Sequence, residues 1–427
     1  MTFMNLSTVE PFEISSIRPP TENDSLTFRL TRNCGWNRCL FCPVYKYGAR
    51  FSRRTMEEVK RDVHRARVIC DLLTDYAVEQ GVPGRLGYQD AASLIREVQA
   101  VRADADADGA DMAVEEEGDE RLRWFSSWFK ERPRLEDSIY HVLTWMLGGQ
   151  ETCFLGDSNS LILAPEFFTE VMNEIKTTFP MLRRFTVYGR TSTAARKSPA
   201  ELKVFREAGL DRVHFGLESG SDTVLNFMSK GVTAAEQLEG CLKVKDAGIS
   251  CSVYVMPGLG GSRWSELHAV ETAELLSRIA PDFVRLRSLE IFPRTGLAEA
   301  VDHGDFVEAT EEQVAREIRV LVEQTEAPCR IVSDSASNLL DVNGRLPEER
   351  DRMLSVIDEF LELVPREKLA FSLESRLRSF YGQYGRLTDD IMAAVSPYLA
   401  NGRIDISQGS DGQIEATIRL IRAKLMP

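Results

Sequence analysis

The sequence has no apolar run approaching the roughly 20 residues that a helix needs to cross a bilayer, so no helical membrane span is expected. Residues 1–20 lack the basic start and apolar centre of a secretory signal, which makes the cytoplasm the expected address. Positive charge is in deficit: 52 Lys and Arg stand against 66 Asp and Glu, a net charge of −14. That balance argues against an electrostatic footprint for nucleic acid over the surface and disfavours nucleic acid as a partner. Histidine is scarce. The five, His64, His141, His214, His268 and His303, stand far apart, without the spacing of a zinc site. Cysteine is present without a disulfide framework: of eight, Cys70, Cys153, Cys241, Cys251 and Cys329 are scattered and read as small buried hydrophobes.

What remains suits a globular chain, with 43% hydrophobic and 28% charged residues. At 427 residues the chain is long for one average domain and short for three. Residues 25–32 (SLTFRLTR) alternate as a strand. Thr55-Met-Glu-Glu58 is a capping box, and the helix it opens runs past Val68. A break in composition follows. Residues 104–120 are strongly acidic and read as a solvated loop inside an insertion over residues 80–140; residues 123–130 (RWFSSWFK) and 139–147 are apolar enough to pack back onto the protein.

From residue 152 strands and helices alternate. The strands are 152–155 (TCFL), 184–188 (RFTVY), 212–217 (RVHFGL), 250–256 (SCSVYVM) and 283–291 (FVRLRSLEI). Pro165 starts one helix, capping boxes at Ser198-Pro-Ala-Glu201 and Thr233-Ala-Ala-Glu236 open two more, and residues 264–279 form a fourth. The second and third end at Ala-Gly pairs, at Ala208 and Ala247, where glycine suits a left-handed cap. Six strands with helical crossovers predict an α/β fold with a parallel sheet. Six units fit an open, partial (β/α)6 barrel of the TIM type better than a closed eightfold one, with a doubly wound sheet as the alternative. After residue 300 the pattern is mainly helical, most clearly over 347–363. The expected organisation is an N-terminal extension (1–24), a core (25–300) carrying the insertion, and a C-terminal region (301–427).

The chemistry starts in the loop after the first strand: Asn33-Cys34-Gly-Trp-Asn-Arg-Cys39-Leu-Phe41-Cys42-Pro43. Three thiolates on one short loop reach three irons of a cubane and leave the fourth iron open. A structural zinc site wants a fourth Cys or His ligand, which the sequence does not supply in pairs. Zinc and a fully ligated electron-transfer cluster stay open as readings of the triplet alone. The loop leaves the C-terminal end of its strand, where parallel βα architectures place active sites. Later strands end in Gly156-Asp157-Ser158, in Arg190, in Phe215-Gly-Leu-Glu218-Ser-Gly220 followed by Met-Ser-Lys230-Gly, and in residues 254–261 (YVMPGLGG).

In this order the motifs resemble the radical S-adenosylmethionine (SAM) superfamily, and within it the branch of the Elongator subunit, the methylthiotransferases and oxygen-independent coproporphyrinogen oxidase. The likeness covers residues 25–300. It implies a [4Fe-4S] cluster on Cys34, Cys39 and Cys42 and SAM bound at its open iron. The implied reaction is reductive cleavage of SAM to a 5′-deoxyadenosyl radical that abstracts hydrogen from a substrate. The superfamily's usual spacing is CX3CX2C; here the first gap is one residue longer. By resemblance, Phe41 lies against adenine, Gly156 and Asp157 meet the SAM amino group, Glu218 takes the ribose, and Lys230 and Arg190 serve carboxylates. Residues 254–261 are similar to a strand end whose backbone contacts adenine. A reductant such as ferredoxin or flavodoxin is the implied partner, beside an unidentified substrate. The competing reading is a non-enzymatic iron–sulfur or zinc protein, an electron carrier or scaffold, which has no use for Glu218, Lys230 and a glycine turn at successive strand ends.

Some features stand outside this reading. Residues 104–115 fit the calcium-loop pattern D-x-D-x-D-G-x5-E, with Asp111 where an aliphatic residue is usual; an acidic linker explains the same residues. Residues 333–338 and 347–350 read as loop and helix-start residues. The start of the chain lies too near the cysteine loop for a preceding cobalamin or methylthiotransferase domain, and the remaining cysteines do not group into a second cluster.

Overall fold

In the computed structural model, which describes residues 6, 9–15, 17–46, 50–103, 133–400 and 402–425, the apolar runs meet in one eight-stranded sheet. Strand β1 (Leu26–Arg29) is followed by helices α1 (Met56–Glu79), α2 (Tyr88–Ala103) and α3 (Leu135–Leu147). Then come β2 (Thr152–Gly156), α4 (Pro165–Thr178), β3 (Arg184–Gly189), α5 (Thr191–Arg196), α6 (Pro199–Glu207) and β4 (Arg212–Glu218). The alternation continues through α7 (Asp222–Phe227), α8 (Ala234–Asp246), β5 (Ser250–Val255), α9 (Gly261–Ile279) and β6 (Phe283–Leu286). The chain ends in α10 (Gly296–Asp302), α11 (Glu311–Gln324), β7 (Cys329–Val332), β8 (Gly344–Leu346), α12 (Arg350–Glu362), α13 (Pro365–Tyr384), α14 (Asp389–Val395) and α15 (Asp411–Arg422).

The strands lie side by side in chain order. Every neighbouring pair from β1 to β7 is parallel, and β8 returns antiparallel to β7. A doubly wound sheet reverses its strand order at a switch point. An unreversed order winds the sheet one way, as a barrel does, and among the described residues no ladder joins β8 back to β1. The fold is thus the partial TIM-like barrel. All six expected strands are present, and the sheet is wider than six because β7 and β8 come from a stretch expected to be helical.

Local chemistry explains most boundaries. The side chains of Thr55, Ser198 and Thr233 each accept from the backbone N–H three residues on, and the glutamate there reaches back to the cap, so the three expected capping boxes are formed. Two strands are shorter than expected. The first leaves the sheet after Arg29; Thr31 and Arg32 instead pair antiparallel with Arg53 and Ser52 and close the base of the cysteine loop. The sixth stops at Leu286 because the Asn338 side chain, not a neighbouring strand, accepts from Ser288 N at 2.9 Å and donates to Leu286 O at 2.8 Å.

Within the insertion, α2 buries Ala91, Leu94, Ile95 and Val98, a helical spacing, and α3 covers 139–147. The acidic residues 104–120, with the calcium-loop pattern, and residues 123–130 lie outside the described residues. One core runs through the barrel, its surrounding helices and the insertion. A second core joins α13, α14 and α15 through Leu373, Phe380, Ile391, Val395, Ile414 and Ile418. The five scattered cysteines are buried and unbridged. Among the described residues no helix is long and apolar enough to cross a membrane.

Candidate active site

The loop after β1 enters the barrel mouth with Asn33 in the left-handed region (φ 64°) and turns again at Asn37 (φ 44°). Asn37 is part of the longer first gap. Its side chain donates to Tyr45 O at 2.7 Å and its backbone N–H to Cys34 Sγ at 3.5 Å, so the added residue is folded into the turn. Leu40 N donates to Met228 O at 3.0 Å, and Leu297 N to Leu40 O at 3.1 Å, which ties the loop to the far rim. Cys34, Cys39 and Cys42 all line one cavity at the C-terminal ends of the strands. Burial raises the Cys39 thiol, partly offset by the nearby Lys230 and Arg190 charges, and pushes Cys42 up to about 11. A metal there displaces thiol protons. Among the described residues no three Cys, His, Asp or Glu side chains converge on one point suited to a single ion. Three soft thiols in the lining of one cavity, with no imidazole beside them there, fit a cluster that takes one thiolate per iron.

The same cavity gathers Phe41, Arg190, Glu218 and Lys230. Glu218 ends β4 at a bulge, with φ 68°, a backbone state that only a built turn sustains. Its Oε1 accepts from Lys230 Nζ at 2.9 Å, with both side chains mostly buried. Gly216 makes room for the pair: a Cβ there would stand 2.3 Å from Glu218 Oε1. Lys230 Nζ also lies 5.7 Å from the Phe41 ring, and Arg190 donates to Lys230 O at 2.8 Å while its guanidinium covers Trp36 at 5.3 Å. Trp36 belongs to the cysteine loop; its indole N–H donates to Ser229 O at 2.8 Å and its ring lies on Gly231, where a Cβ would come within 2.1 Å. Residues far apart in sequence are therefore locked into one rim.

Gly156 and Asp157 are placed differently. Asp157 is absent from the cavity lining and buried beneath the loop. Its Oδ2 accepts from Arg29 at 2.7 and 3.1 Å and from Asn33 N at 3.1 Å, and its Oδ1 from Ser15 Oγ at 3.3 Å. Burial raises the Asp157 carboxyl against the pull of Arg29. The geometry makes Asp157 an anchor for the start of the cysteine loop, buried away from the cavity lining. Gly156 faces Ser15, 1.9 Å from where a Cβ would sit; Ser158 is the residue of that turn that lines the cavity. A charged residue inside the buried strand LTFR, Arg29, was the sequence signal for this network.

Several lining residues went unrecognised in the sequence: Ile17, Tyr45, Tyr188, Arg287, Glu290 and Phe292. Arg287 and Glu290 were hidden by reading 283–291 as strand. Glu290 is buried, which raises its carboxyl, and Arg422 of α15 holds both of its oxygens, at 3.1 and 3.3 Å.

Residues 123–273 match the model of the radical SAM superfamily. No curated protein matches the chain. Among solved structures it is similar to Elp3 of the archaeon Methanocaldococcus infernus, with an N-terminal deletion (16% identity, 56% of this chain and 59% of that one, TM-score 0.37). It is also similar to methylornithine synthase, PylB (13%, 71% and 63%, TM-score 0.38), and to coproporphyrinogen III oxidase, HemN, of Escherichia coli (11%, 64% and 77%, TM-score 0.31). The match spans about six tenths of the length of the first two. The family match covers about a third of the chain, and over residues 123–273 the chain is similar to the radical SAM superfamily. The cofactors of that family are a [4Fe-4S] cluster and SAM, and its chemistry is reductive SAM cleavage, which requires a reductant and a substrate.

Proposed function

We propose that Cys34, Cys39 and Cys42 hold the cluster, and that Phe41, Arg190, Glu218 and Lys230 hold SAM beside it for hydrogen abstraction from a substrate. The observation that carries this reading is that the three thiols and these four side chains, drawn from the ends of β1, β3 and β4, line one cavity. When bound, the cluster supplies the electron that splits SAM into methionine and a 5′-deoxyadenosyl radical. Lys230 and Arg190 bring positive charge to the methionyl carboxylate, and Glu218 offers acceptor oxygens to the paired ribose hydroxyls. Phe41 offers its ring to adenine. Asp157 and Arg29 fix the start of the cysteine loop from below. Arg422 of the C-terminal region closes the cavity wall through Glu290, which supports a role for residues 301–427 in choosing substrate and shielding the radical from water. The core over residues 25–300, a cytoplasmic setting and ferredoxin or flavodoxin as reductant complete the reading.

The test is anaerobic reconstitution followed by dithionite and SAM. Release of 5′-deoxyadenosine, lost in Cys39→Ala together with the iron, is expected. An intact cluster that leaves SAM uncleaved favours an electron carrier, and tetrahedral zinc in oxygen-protected protein overturns the proposal.

A further inference from the structure

Charge is distributed unevenly around the cysteine loop. Residues 25–56 hold seven cations and not one Asp or Glu, in a chain with a net charge of −14. The seven fall into two sets. Arg29, Arg32 and Arg54 are mostly buried and bond at the base of the loop to Glu13, Glu58, Asp62 and Asp157. Arg38, Lys46, Arg50 and Arg53 are exposed, and among the described residues no carboxylate bonds to any of them. Their own contacts keep them on the loop. The Arg38 guanidinium lies 5.1 Å from the centre of the Trp36 ring, and Lys46 Nζ donates to Asn37 O at 2.8 Å. Arg50 and Arg53 flank Phe51, whose ring lies 3.6 Å from where a Cβ on Gly35 would sit, and Arg53 pairs with Thr31 at the base.

Counted as thiolates, the three cysteines together with the four acids at the base equal the seven cations in number. The two signs are not mixed, however. The thiols line the cavity and the acids lie under the loop, while Arg38, Lys46, Arg50 and Arg53 face solvent. Such a separation leaves a positive pole outward, and at contact the nearest charges dominate, because attraction falls with distance and with salt. The outer charges and the first thiol share one turn: Asn37 donates from its backbone to Cys34 Sγ and accepts from Lys46, and Cys34 is only half-buried. A protein that delivers electrons to a group held by these thiols has a short approach here. Trp36, half-buried between the guanidinium groups of Arg38 and Arg190, adds the aromatic and arginine pairing that protein interfaces favour. Four charges on one short loop make a small patch, the scale of a transient electron-transfer contact, whereas a nucleic acid tracks a longer basic stripe.

We propose that Arg38, Lys46, Arg50 and Arg53 form the docking surface for a small acidic electron-carrier protein, which passes electrons to the cluster across the cysteine loop. This deepens the proposed function and rests on its placement of the cluster. The step moves one electron: the carrier is oxidised by one, the cluster is reduced by one, and no bond forms or breaks between the two proteins. The charges select the partner and speed the encounter more than they hold the complex, so the contact is weak and sensitive to salt.

The test uses the full-length, reconstituted protein and a flavodoxin as the acidic carrier. Calorimetric titration with oxidised flavodoxin reads docking without turnover. Arg38→Glu/Arg50→Glu is expected to weaken that binding about tenfold or more, and raising salt from about 50 to about 300 mM should weaken it in the parent protein. Arg183→Glu/Lys203→Glu makes the same change of charge at exposed sites before β3 and on α6, and should bind within about twofold of the parent. SAM cleavage is then driven in two ways. With reduced flavodoxin, release of 5′-deoxyadenosine by Arg38→Glu/Arg50→Glu should fall about tenfold. With dithionite, which needs no docking surface, it should match the parent. Equal flavodoxin binding in Arg38→Glu/Arg50→Glu, an equal loss in Arg183→Glu/Lys203→Glu, or no flavodoxin binding by the parent below about 1 mM overturns the proposal. So does tighter binding of a single-stranded RNA of about 20 nucleotides that is lost in Arg38→Glu/Arg50→Glu, which marks the patch as a nucleic-acid contact. If that variant does not fold, Arg38→Gln and Lys46→Gln, read in the same way, decide. Flavodoxin binding without SAM cleavage by dithionite sinks the cofactor reading and leaves the docking surface standing, and the reverse sinks only the docking surface.

Discussion

At the scale of single residues, the site depends on charges kept in pairs. Lys230 and Glu218 are both mostly buried, so neither is stable there alone. Removing one partner of a buried pair leaves an uncompensated charge, a loss of about 3 kcal/mol or more. Lys230→Met is therefore expected to lower the urea midpoint measurably and to weaken SAM binding about tenfold, while Lys230→Arg restores most of both. SAM affinity in Lys230→Met within about twofold of the parent would remove Lys230 from the cofactor site. The contrast with Asp157 is instructive at the same scale. Three donors, two from Arg29 and one from Asn33, converge on its Oδ2, and Ser15 reaches its Oδ1. A residue's place in the order of motifs told which turn it occupies, and only its partners told which way it points.

At the scale of elements, close approach of backbone sets the geometry of the rim. Arg190 is the N-cap of α5, and α5 packs tightly on α8. The contact passes through Gly240, where a Cβ would stand 2.2 Å from Thr191 O. Gly240→Ala must push the two helices apart, an overpacking loss of about 1–3 kcal/mol, and α5 carries Arg190 with it. The expected result is a lower melting temperature together with weaker SAM binding. Gly382→Ala, in α13 with nothing within 4 Å of the new Cβ, is the control and should gain about 0.5–1 kcal/mol. If both variants melt alike, the α5–α8 contact is not tight in solution.

Elements also show what the sequence could say. Strands β1 to β6 and the capped helices were legible because apolar runs and capping boxes are local signals, and so were Cys34, Cys39 and Cys42 as a group. The paths of residues 31–32 and 287–292 were not. They leave the sheet because of partners distant in sequence, Ser52 and Arg53 in one case and Asn338 in the other. Strand β7, paired to β6 only once the barrel has curved, gave no periodic signal in its four residues. Helix α2 did carry a helical spacing, at Ala91, Leu94, Ile95 and Val98, which the acidic stretch after it obscured.

For the whole molecule, the buried titratable groups outside the cofactor site set how stability follows pH. His214, inside the barrel, and His268 of α9 are fully buried, and burial depresses each to about 4. The unfolded chain takes up these protons near pH 6.5, so it binds more protons than the folded chain between about 6.5 and 4. The stability the two imidazoles contribute is present above 6.5 and lost as pH falls through 4, about 3 kcal/mol for each. Glu317 of α11 works the other way. It is buried beside His268, accepts from Gly258 N and Ser265 Oγ at 2.5 Å, and burial pushes it up to about 7. Its contribution is complete below about 4.5 and is lost as pH rises through 7. From pH 4.5 to 6.5 three histidines, these two and His141, which burial holds well below its ordinary value, oppose one glutamate, so acid destabilises; from 6.5 to 7.5 Glu317 acts alone, so stability declines. Denaturant midpoints at pH 4.5, 6.5 and 8 are expected to peak at the middle value. In Glu317→Gln the alkaline decline should vanish and the acid loss should steepen, because the opposing group is gone. A pH profile parallel to that of the parent protein would show that Glu317 is already ionised in the folded state, and that the loop at Gly258 is held by charge.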